Sequence, residues 1–295
     1  MNEKPRKHGR NEIPLRGERR LRFDRTLLMG ILNLTADSFY PDSRLRDAQA
    51  ALDAAERMAG EGADILDIGA ESTRPGSLGV SEAAEIETLV PAVAAIRRRL
   101  PHMPISVDTR KAGVARRCLE AGADIVNDVS GLELPQEAAA TARLIAETGA
   151  PYVLMHTQGT PEVMQTDPSY DDFRAEVSQF FQDKIAFLEA HGVRRERIIL
   201  DPGIGFGKRP ADNLDILAHL ADWRRFGSPL LIAASRKRFI GHVLGLDDPA
   251  DRLEGTVAVT ALCASEGVEI VRVHDVAPNR RAADLMDAVR NRRDA

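Results

Sequence analysis

Polar and charged side chains recur in this chain at one kind of place, just where a short apolar run stops. The fullest case is Asp201-Pro202-Gly203-Ile204-Gly205-Phe206-Gly207-Lys208, which follows Arg197-Ile198-Ile199-Leu200. The apolar run has the length and composition of a buried strand, so Asp201 stands at a strand tip. The glycines let the backbone turn sharply and approach a ligand closely, and Phe206 supplies one aromatic wall. Taken alone, the segment could be a tight turn with an exposed Asp, because Asp and Gly are ordinary turn residues. The other apolar runs end in the same way. Their ends carry Asn33, Glu71-Ser72-Thr73-Arg74-Pro75-Gly76, Asp108, Asn127-Asp128, His156, Ser235-Arg236-Lys237 and Arg272-His274. One Asp after a strand is often a helix N-cap, but capping does not explain a polar group at every strand end.

The residue types indicate what such a ring could hold. Asp108, Asn127, Asp201 and Lys237 combine acceptors, an amide and a cationic donor. That set suits a flat heterocycle with several N–H groups and a carbonyl, such as a pterin or a guanine. Asn33, Arg74, Arg272 and His274 form a second group rich in donors, suited to phosphate and, at Asn33, to a metal. No nucleophile has an adjacent base, and no His, Cys or Glu spacing matches a zinc site. The chemistry expected is binding and charge stabilisation.

Apolar runs of strand length lie at Leu27–Leu32, Ile65–Ile68, Ile105–Val107, Ile125–Val126, Tyr152–Met155, Ile198–Leu200, Leu230–Ala233 and Ile270–Val273. Helical patterns separate them. Ile86, Leu89, Val90, Val93 and Ile96 follow one helix face, as do Phe173, Val177, Phe180, Phe181 and Leu188. Glu-Gly-Ala-Asp at 61–64 and Ala-Gly-Ala-Asp at 121–124 read as helix exits capped by glycine. Eight strand–helix units without an antiparallel run predict a parallel sheet under helices, a (β/α)8 TIM barrel whose active site lies at the C-terminal strand ends. A doubly wound open sheet is the alternative, disfavoured because no G-x-G-x-x-G follows the first strand.

The chain has 295 residues, of which 43% are hydrophobic and 29% charged, enough for one such barrel. No apolar run reaches membrane-spanning length and no signal-peptide core follows Met1, so a cytoplasmic protein without a membrane partner is expected. The net charge of −5 argues against a nucleic-acid partner. Cys118 and Cys263 are too few for a disulfide framework and are assigned to the core. Residues 1–20 carry seven Lys or Arg against Glu3, Glu12 and Glu18. Residues 1–26 are thus a basic tail, with a possible hairpin from Ile13 to Arg25, and residues 27–292 are the barrel.

In order along the chain, Met-Gly-Ile-Leu-Asn-Leu-Thr-Ala-Asp-Ser-Phe (29–39), Glu-Ser-Thr-Arg-Pro-Gly (71–76), Ser-Val-Asp-Thr (106–109), Asn-Asp-Val (127–129), Gln-Gly-Thr-Pro (158–161), Asp-Pro-Gly-Ile-Gly-Phe-Gly-Lys (201–208), Ser-Arg-Lys (235–237) and Arg-Val-His-Asp-Val (272–276) resemble dihydropteroate synthase. The resemblance runs from about residue 27 to 290. It implies a transferase of folate biosynthesis and a sulfonamide target. Such an enzyme joins 6-hydroxymethyl-7,8-dihydropterin diphosphate to 4-aminobenzoate with Mg2+ and releases pyrophosphate. It also implies a homodimer through late helices, here about 250–267 and 277–292.

Carried over by position, the resemblance assigns Asp108, Asn127, Asp201 and Lys237 to the pterin. Arg272 and His274 go to the diphosphate, with Asn33 at the Mg2+ position. Thr73, Arg74 and Pro75 fall on a mobile loop shaping the aminobenzoate pocket, completed by Phe206 and the Lys237–Arg238 turn. Asp108, Lys237, Arg74, Arg272 and His274 are the residues expected to carry catalysis, and loops 33–45 and 73–80 are expected to close over the site. The chain departs from the family pattern at Ala36, where Pro is usual, at Tyr40-Pro41-Asp42-Ser43, at Ala233-Ala234 and at Arg238. An aryl amine is a weak nucleophile and no base stands ready, so the expected route is that diphosphate leaves first and gives a cation spread over the dihydropterin ring. Two other readings are a pterin-binding methyltransferase domain and a non-catalytic paralogue. The methyltransferase would not keep Thr-Arg-Pro-Gly, Ser-Arg-Lys and Arg-Val-His together. The paralogue would have lost one of Asn33, Arg74, Lys237 or His274.

Overall fold

The computed structural model describes residues 12–34, 41–71, 79–159, 164 and 168–293. Its framework is eight parallel strands. They are β3 (Leu27–Asn33), β4 (Ile65–Gly69), β5 (Ile105–Asp108), β6 (Ile125–Asp128), β7 (Tyr152–Met155), β8 (Ile198–Asp201), β9 (Leu231–Ile232) and β10 (Ile270–Val273). Before them, β1 (Glu12–Pro14) and β2 (Arg20–Arg22) form the expected hairpin, with Ile13 opposite Leu21.

The sheet order is β8-β7-β6-β5-β4-β3-β10-β9, all neighbours parallel. A parallel bridge between Leu200 and Leu230 closes the circle, with the Leu200 N–H donating to the Pro229 carbonyl at 2.9 Å. The eight apolar runs read from the sequence all fall on these strands, so the closed barrel replaces the open-sheet alternative.

Helices return each strand to the start of the next, and the sequence sets several of their ends. Ser81 caps α2 (Glu82–Arg99) through an Ala84 N–H to Oγ bond, and Asp172 caps α5 (Phe173–Ala190) by accepting from Ala175 N–H. Gly122 ends α3 (Ala112–Ala121) at φ 117°, which confirms the glycine exit read there. One expectation needs correction. The segment assigned to a loop up to residue 45 is helical from Pro41, where α1 (Pro41–Gly60) begins. Pro41 stands at the first helical position, where its missing N–H does no harm.

The strand period of two divides the interior in layers. Leu27, Met29, Ile65, Ile125, Val153, Ile199, Leu231, Ala233 and Ile270 face inward and form one apolar cluster with Ile13, Leu15, Leu21 and Phe23 of the hairpin. The hairpin therefore plugs the end of the barrel where the strands begin. The intervening residues, such as Leu66, Val126, Leu154 and Leu200, face outward to the helices. Two residues beyond Ile65, Ile125, Ile199 and Ile270 come Asp67, Asn127, Asp201 and Arg272, which therefore face inward one layer higher. An apolar plug supports a polar rim. Cys118 and Cys263 are both buried, as core residues should be.

Candidate active site

The rim is held together by Arg272. Its Nε donates to Asp67 Oδ2 at 2.6 Å and one terminal nitrogen donates to Asp108 Oδ2 at 2.8 Å. Asn127 Nδ2 donates to the same Asp67 oxygen at 3.1 Å. β4, β5, β6 and β10 are thus tied into one network. Gly69 makes room for it: a Cβ there would sit 3.2 Å from the Asp108 Cβ. Burial pushes the Asp108 carboxyl up to about 7, against the pull of Arg272 and with the help of Asp67.

Asp201 stands across the ring, buried, with Oδ1 accepting the Gly203 N–H at 2.7 Å. Burial raises its pKa, opposed by Lys237, the Gly203 N–H, Lys208 and Arg272. Lys237, at the N-cap of α8 (Arg238–Leu244), donates to the Ile204 carbonyl and lies 4.6 Å from the centre of the Phe206 ring. Burial lowers its ammonium to about 8, with Asp201 opposing. Asp201, Phe206 and Lys237 therefore form one wall of the site.

At the rim beyond Arg272, the exposed His274 presents its backbone N–H to Ser235 Oγ at 3.2 Å and its Nδ1 to the same oxygen at 2.9 Å. An oxygen that accepts from the N–H is free to donate to Nδ1. Asn33 ends β3 with an exposed side chain.

The structure brings Asp108, Asn127, Asp201, Phe206, Lys237 and Arg272 together, with His274 and Asn33 at the rim. Thr73, Arg74 and Pro75 lie outside the described residues, as do Ala36 with the rest of 35–40 in the first expected closing loop and 73–78 in the second. Glu71, just before the second loop, is held by Arg110 at 2.5 Å and Lys111 at 2.7 Å, and Lys111 also reaches Glu85 at 2.7 Å. Arg236, in the middle of Ser-Arg-Lys, turns away from the ring: it makes a two-pronged pair with Asp275 at 2.8 and 2.9 Å and binds the carbonyls of Pro249 and Ala250. Asp128 is likewise engaged outside the ring, by Tyr152 Oη at 2.7 Å and the Ser130 N–H at 2.7 Å.

Asp67 was not among the residues expected from the sequence, although it is the hub of the network. It is fully buried, and its Oδ1 has no hydrogen-bond partner among the described residues. The available signal was an acid at an inward position of an otherwise apolar strand. Such a charge is too costly to bury without a cation or a ligand.

Comparison with known proteins gives the same picture. A family model described as Pterin binding enzyme matches residues 29–274. The dihydropteroate synthase of Synechocystis sp. is 43% identical over 265 residues, covering 90% of each chain. That of Escherichia coli strain K12 is 42% identical over 261 residues, 88% of this chain and 90% of the other. Among solved structures, Yersinia pestis dihydropteroate synthase with a sulfonamide drug superposes with a TM-score of 0.87 at 41% identity, covering 95% of this chain and 99% of that one. Xanthomonas albilineans dihydropteroate synthase with 4-aminobenzoic acid gives 0.83 at 40% identity, covering 92% and 96%. The polar rim, the barrel beneath it and relatives similar over nearly their whole length lead to one assignment: the chain belongs to the dihydropteroate synthase family.

Proposed function

We infer that the chain condenses 6-hydroxymethyl-7,8-dihydropterin diphosphate with 4-aminobenzoate, giving 7,8-dihydropteroate and pyrophosphate. The observation that carries this is the single rim layer joining Asp108, Asn127, Asp201, Lys237 and Arg272. Asp108 and Asp201 accept from the amino and ring N–H groups of the pterin, Asn127 both donates and accepts, and Lys237 donates to its carbonyl. Aminobenzoate stacks on the Phe206 and Lys237 side, completed by Thr73, Arg74 and Pro75. A sulfonamide, bound by the Yersinia pestis relative, would compete for that place.

Arg272 Nε and one terminal nitrogen are committed to carboxylates, while its Nη1 has no hydrogen bond among the described residues. That nitrogen and the His274 imidazole receive the negative charge of the departing diphosphate. Asp108 faces the positive charge left on the pterin and stabilises it. The aryl amine then attacks a carbon already made reactive, so orientation by the wall supplies much of the remaining acceleration.

Mg2+ fits this donor set in one way. Asn33 offers a hard oxygen at the rim, and the described residues contain no cluster of three or more His, Cys, Asp or Glu that could hold a metal by themselves. The ion would therefore be held by Asn33, water and the substrate's own phosphate oxygens, as Mg2+ commonly is. When bound, it would supply further neutralisation of the leaving group.

A cytoplasmic homodimer without nucleic-acid or membrane partners is the assembly we propose. No helix among the described residues is long and apolar enough to cross a membrane. The late helices α9 (Leu253–Ser265) and α10 (Val276–Arg293) leave Leu262 39%, Leu285 65% and Val289 37% exposed, an apolar set that a second copy would cover. The functional test is pyrophosphate release from the pterin diphosphate. Release that depends on Mg2+ and is matched by 7,8-dihydropteroate when 4-aminobenzoate is present is expected; no release with all three present would overturn the reading.

A further inference from the structure

Lys208 ends the Asp-Pro-Gly-Ile-Gly-Phe-Gly-Lys segment, yet it takes no part in the chemistry above. Its side chain turns back under the loop instead of reaching into the site. Only 3% exposed, its Nζ lies 2.8 Å from His156 Nδ1, 3.0 Å from the Phe206 carbonyl and 3.2 Å from the His156 carbonyl. Three partners surround a group that forms three bonds. His156 is itself buried, edge-on to Phe180 at 4.8 Å, at the end of β7.

We propose that Lys208 is a positioning residue that pins the 201–208 loop onto the end of β7 and thereby aims Asp201 and Phe206 at the substrate. The proposal rests on the reading of that loop as a wall of the pterin and aminobenzoate pockets.

The loop is built to be held this closely. A Cβ on Gly203, at φ +72°, would fall 1.9 Å from the His156 carbonyl oxygen, so only glycine lets the two segments touch. A Cβ on Gly207 would fall 2.4 Å from the Gln158 carbonyl, and Tyr170 Oη donates to the Gly207 carbonyl at 2.6 Å. On the opposite side, Lys237 binds the Ile204 carbonyl. Lys237 works from the substrate side and Lys208 from the protein side, with the loop between them. Without Lys208, the carbonyls of His156 and Phe206 would be left buried without their cationic donor.

The pin tolerates a change of protonation. Burial lowers the Lys208 ammonium to about 7, opposed by Asp201 on β8, reinforced by Lys237 and opposed again by Asp212 on α6 (Pro210–Ala218). Burial and Lys208 together hold His156 well below its ordinary value, so the imidazole is neutral. As an ammonium, Lys208 donates all three bonds and Nδ1 accepts. As an amine, it donates to the two carbonyls and accepts from Nδ1–H. All three contacts persist in either state, at the expense only of a change of imidazole tautomer.

The test uses the full chain with Lys208→Met, which keeps the stem and removes the donor. Hydrogen exchange on the ligand-free protein should show protection lost at the amides of residues 203–207 and kept elsewhere in the barrel. The KM for pterin diphosphate should rise about 10- to 100-fold, the range expected for hydrogen bonds to a charged group, and by more than any change in kcat. Parental protection at 203–207 overturns the pin even if the enzyme reading stands; absence of turnover in the parent chain overturns the enzyme reading and leaves the exchange result to judge the pin. Should Lys208→Met not fold, His156→Asn and His156→Leu make the same distinction. The amide can accept from or donate to Nζ, so Asn should hold the loop amides and Leu should release them. Equal protection in the two variants would overturn the proposal.

Discussion

Asp64, Asp124, Glu269 and Asp287 lie where the strands begin, and Asp67, Asp108 and Asp201 lie where they finish. At the first end each acid accepts a strand-entry N–H and also meets arginine. Asp64 takes the Leu28 N–H at 2.8 Å and pairs with Arg25 at 2.5 Å. Asp124 takes the Ile105 N–H at 3.0 Å and pairs with Arg97 at 2.5 Å and Arg19 at 2.6 Å. Glu269 takes the Leu230 N–H and pairs with Arg224 at 2.8 Å; Asp287 takes the Thr26 N–H and pairs with Arg290 at 2.5 Å. At the other end Asp67 keeps an oxygen without a partner, and Asp108 and Asp201 have carboxyls raised by burial. Acids whose partners come from the fold serve the fold. Acids that the fold does not fully neutralise are the candidates for a ligand.

The largest effect that could break this contrast is at the plugged end. Asp124→Ala leaves Arg19 and Arg97 facing each other without their anion, and should cost about 3–5 kcal/mol of stability in urea unfolding, as for other broken buried pairs. The KM values of the folded variant should not move. A parallel loss of pterin affinity would show that the two ends are not independent.

Arg272→Ala does the reverse. It removes the cation aimed at the leaving group and should lower kcat by about 100- to 1000-fold, the range seen when one preorganised donor is deleted. Initial rates measure this, and a kcat within a few-fold of the parent would remove Arg272 from the diphosphate site. Asp201→Asn keeps the shape but replaces a charged acceptor with an amide that also donates. It should weaken a pterin analogue by about 2–3 kcal/mol in calorimetry, and unchanged affinity would take Asp201 out of the pterin site.

The smallest effect is a pH dependence. The Asp108 carboxyl, raised from 3.8 to about 7, must be ionised to face the pterin cation. In pterin diphosphate kcat/KM an acid limb should therefore appear as pH falls through about 7, and Asp108→Asn should lack it. Stability runs the opposite way. Between the unfolded value and about 7 the folded protein holds the proton more tightly, so this group's contribution falls as pH rises through that window. A flat profile in the parent from pH 6 to 8 would mean that substrate or Arg272 sets the Asp108 charge before turnover.

The sequence was most legible where one rule covers many residues. In a parallel barrel all strand C-termini converge, so polar groups at the run ends had to meet. Asp108, Asn127, Asp201 and Arg272 converge for this reason, and hydrophobic alternation at Leu21 and Phe23 is enough to mark the hairpin. Asp67 escaped because it lies within Ile65–Ile68, two residues before the end of its strand, where only the inward and outward alternation reveals its direction. The turn of Arg236 toward Asp275 also escaped. Ser-Arg-Lys looks uniformly functional, but at φ 55° Arg236 sits in the left-handed region and its side chain pairs with Asp275. Nor could spacing show that Lys208 turns back beneath its own loop, because that depends on His156, fifty-two positions away.

The closure between β8 and β9 has a thermodynamic consequence. The β9 strand has two residues, and its junction with β8 is the single Leu200–Leu230 bridge, whereas β3 and β4 pair over five positions. A circle fastened so lightly at one point opens there first, so the amides beside the bridge should be among the earliest of the barrel strands to exchange. Asp201 stands on one side of that seam and Lys237 follows the strand on the other. A pterin held by both would fasten the two edges together, and part of its binding free energy would become resistance of the whole barrel to unfolding. On the proposed reading, the substrate would complete the circle at the point where the backbone fastens it most lightly.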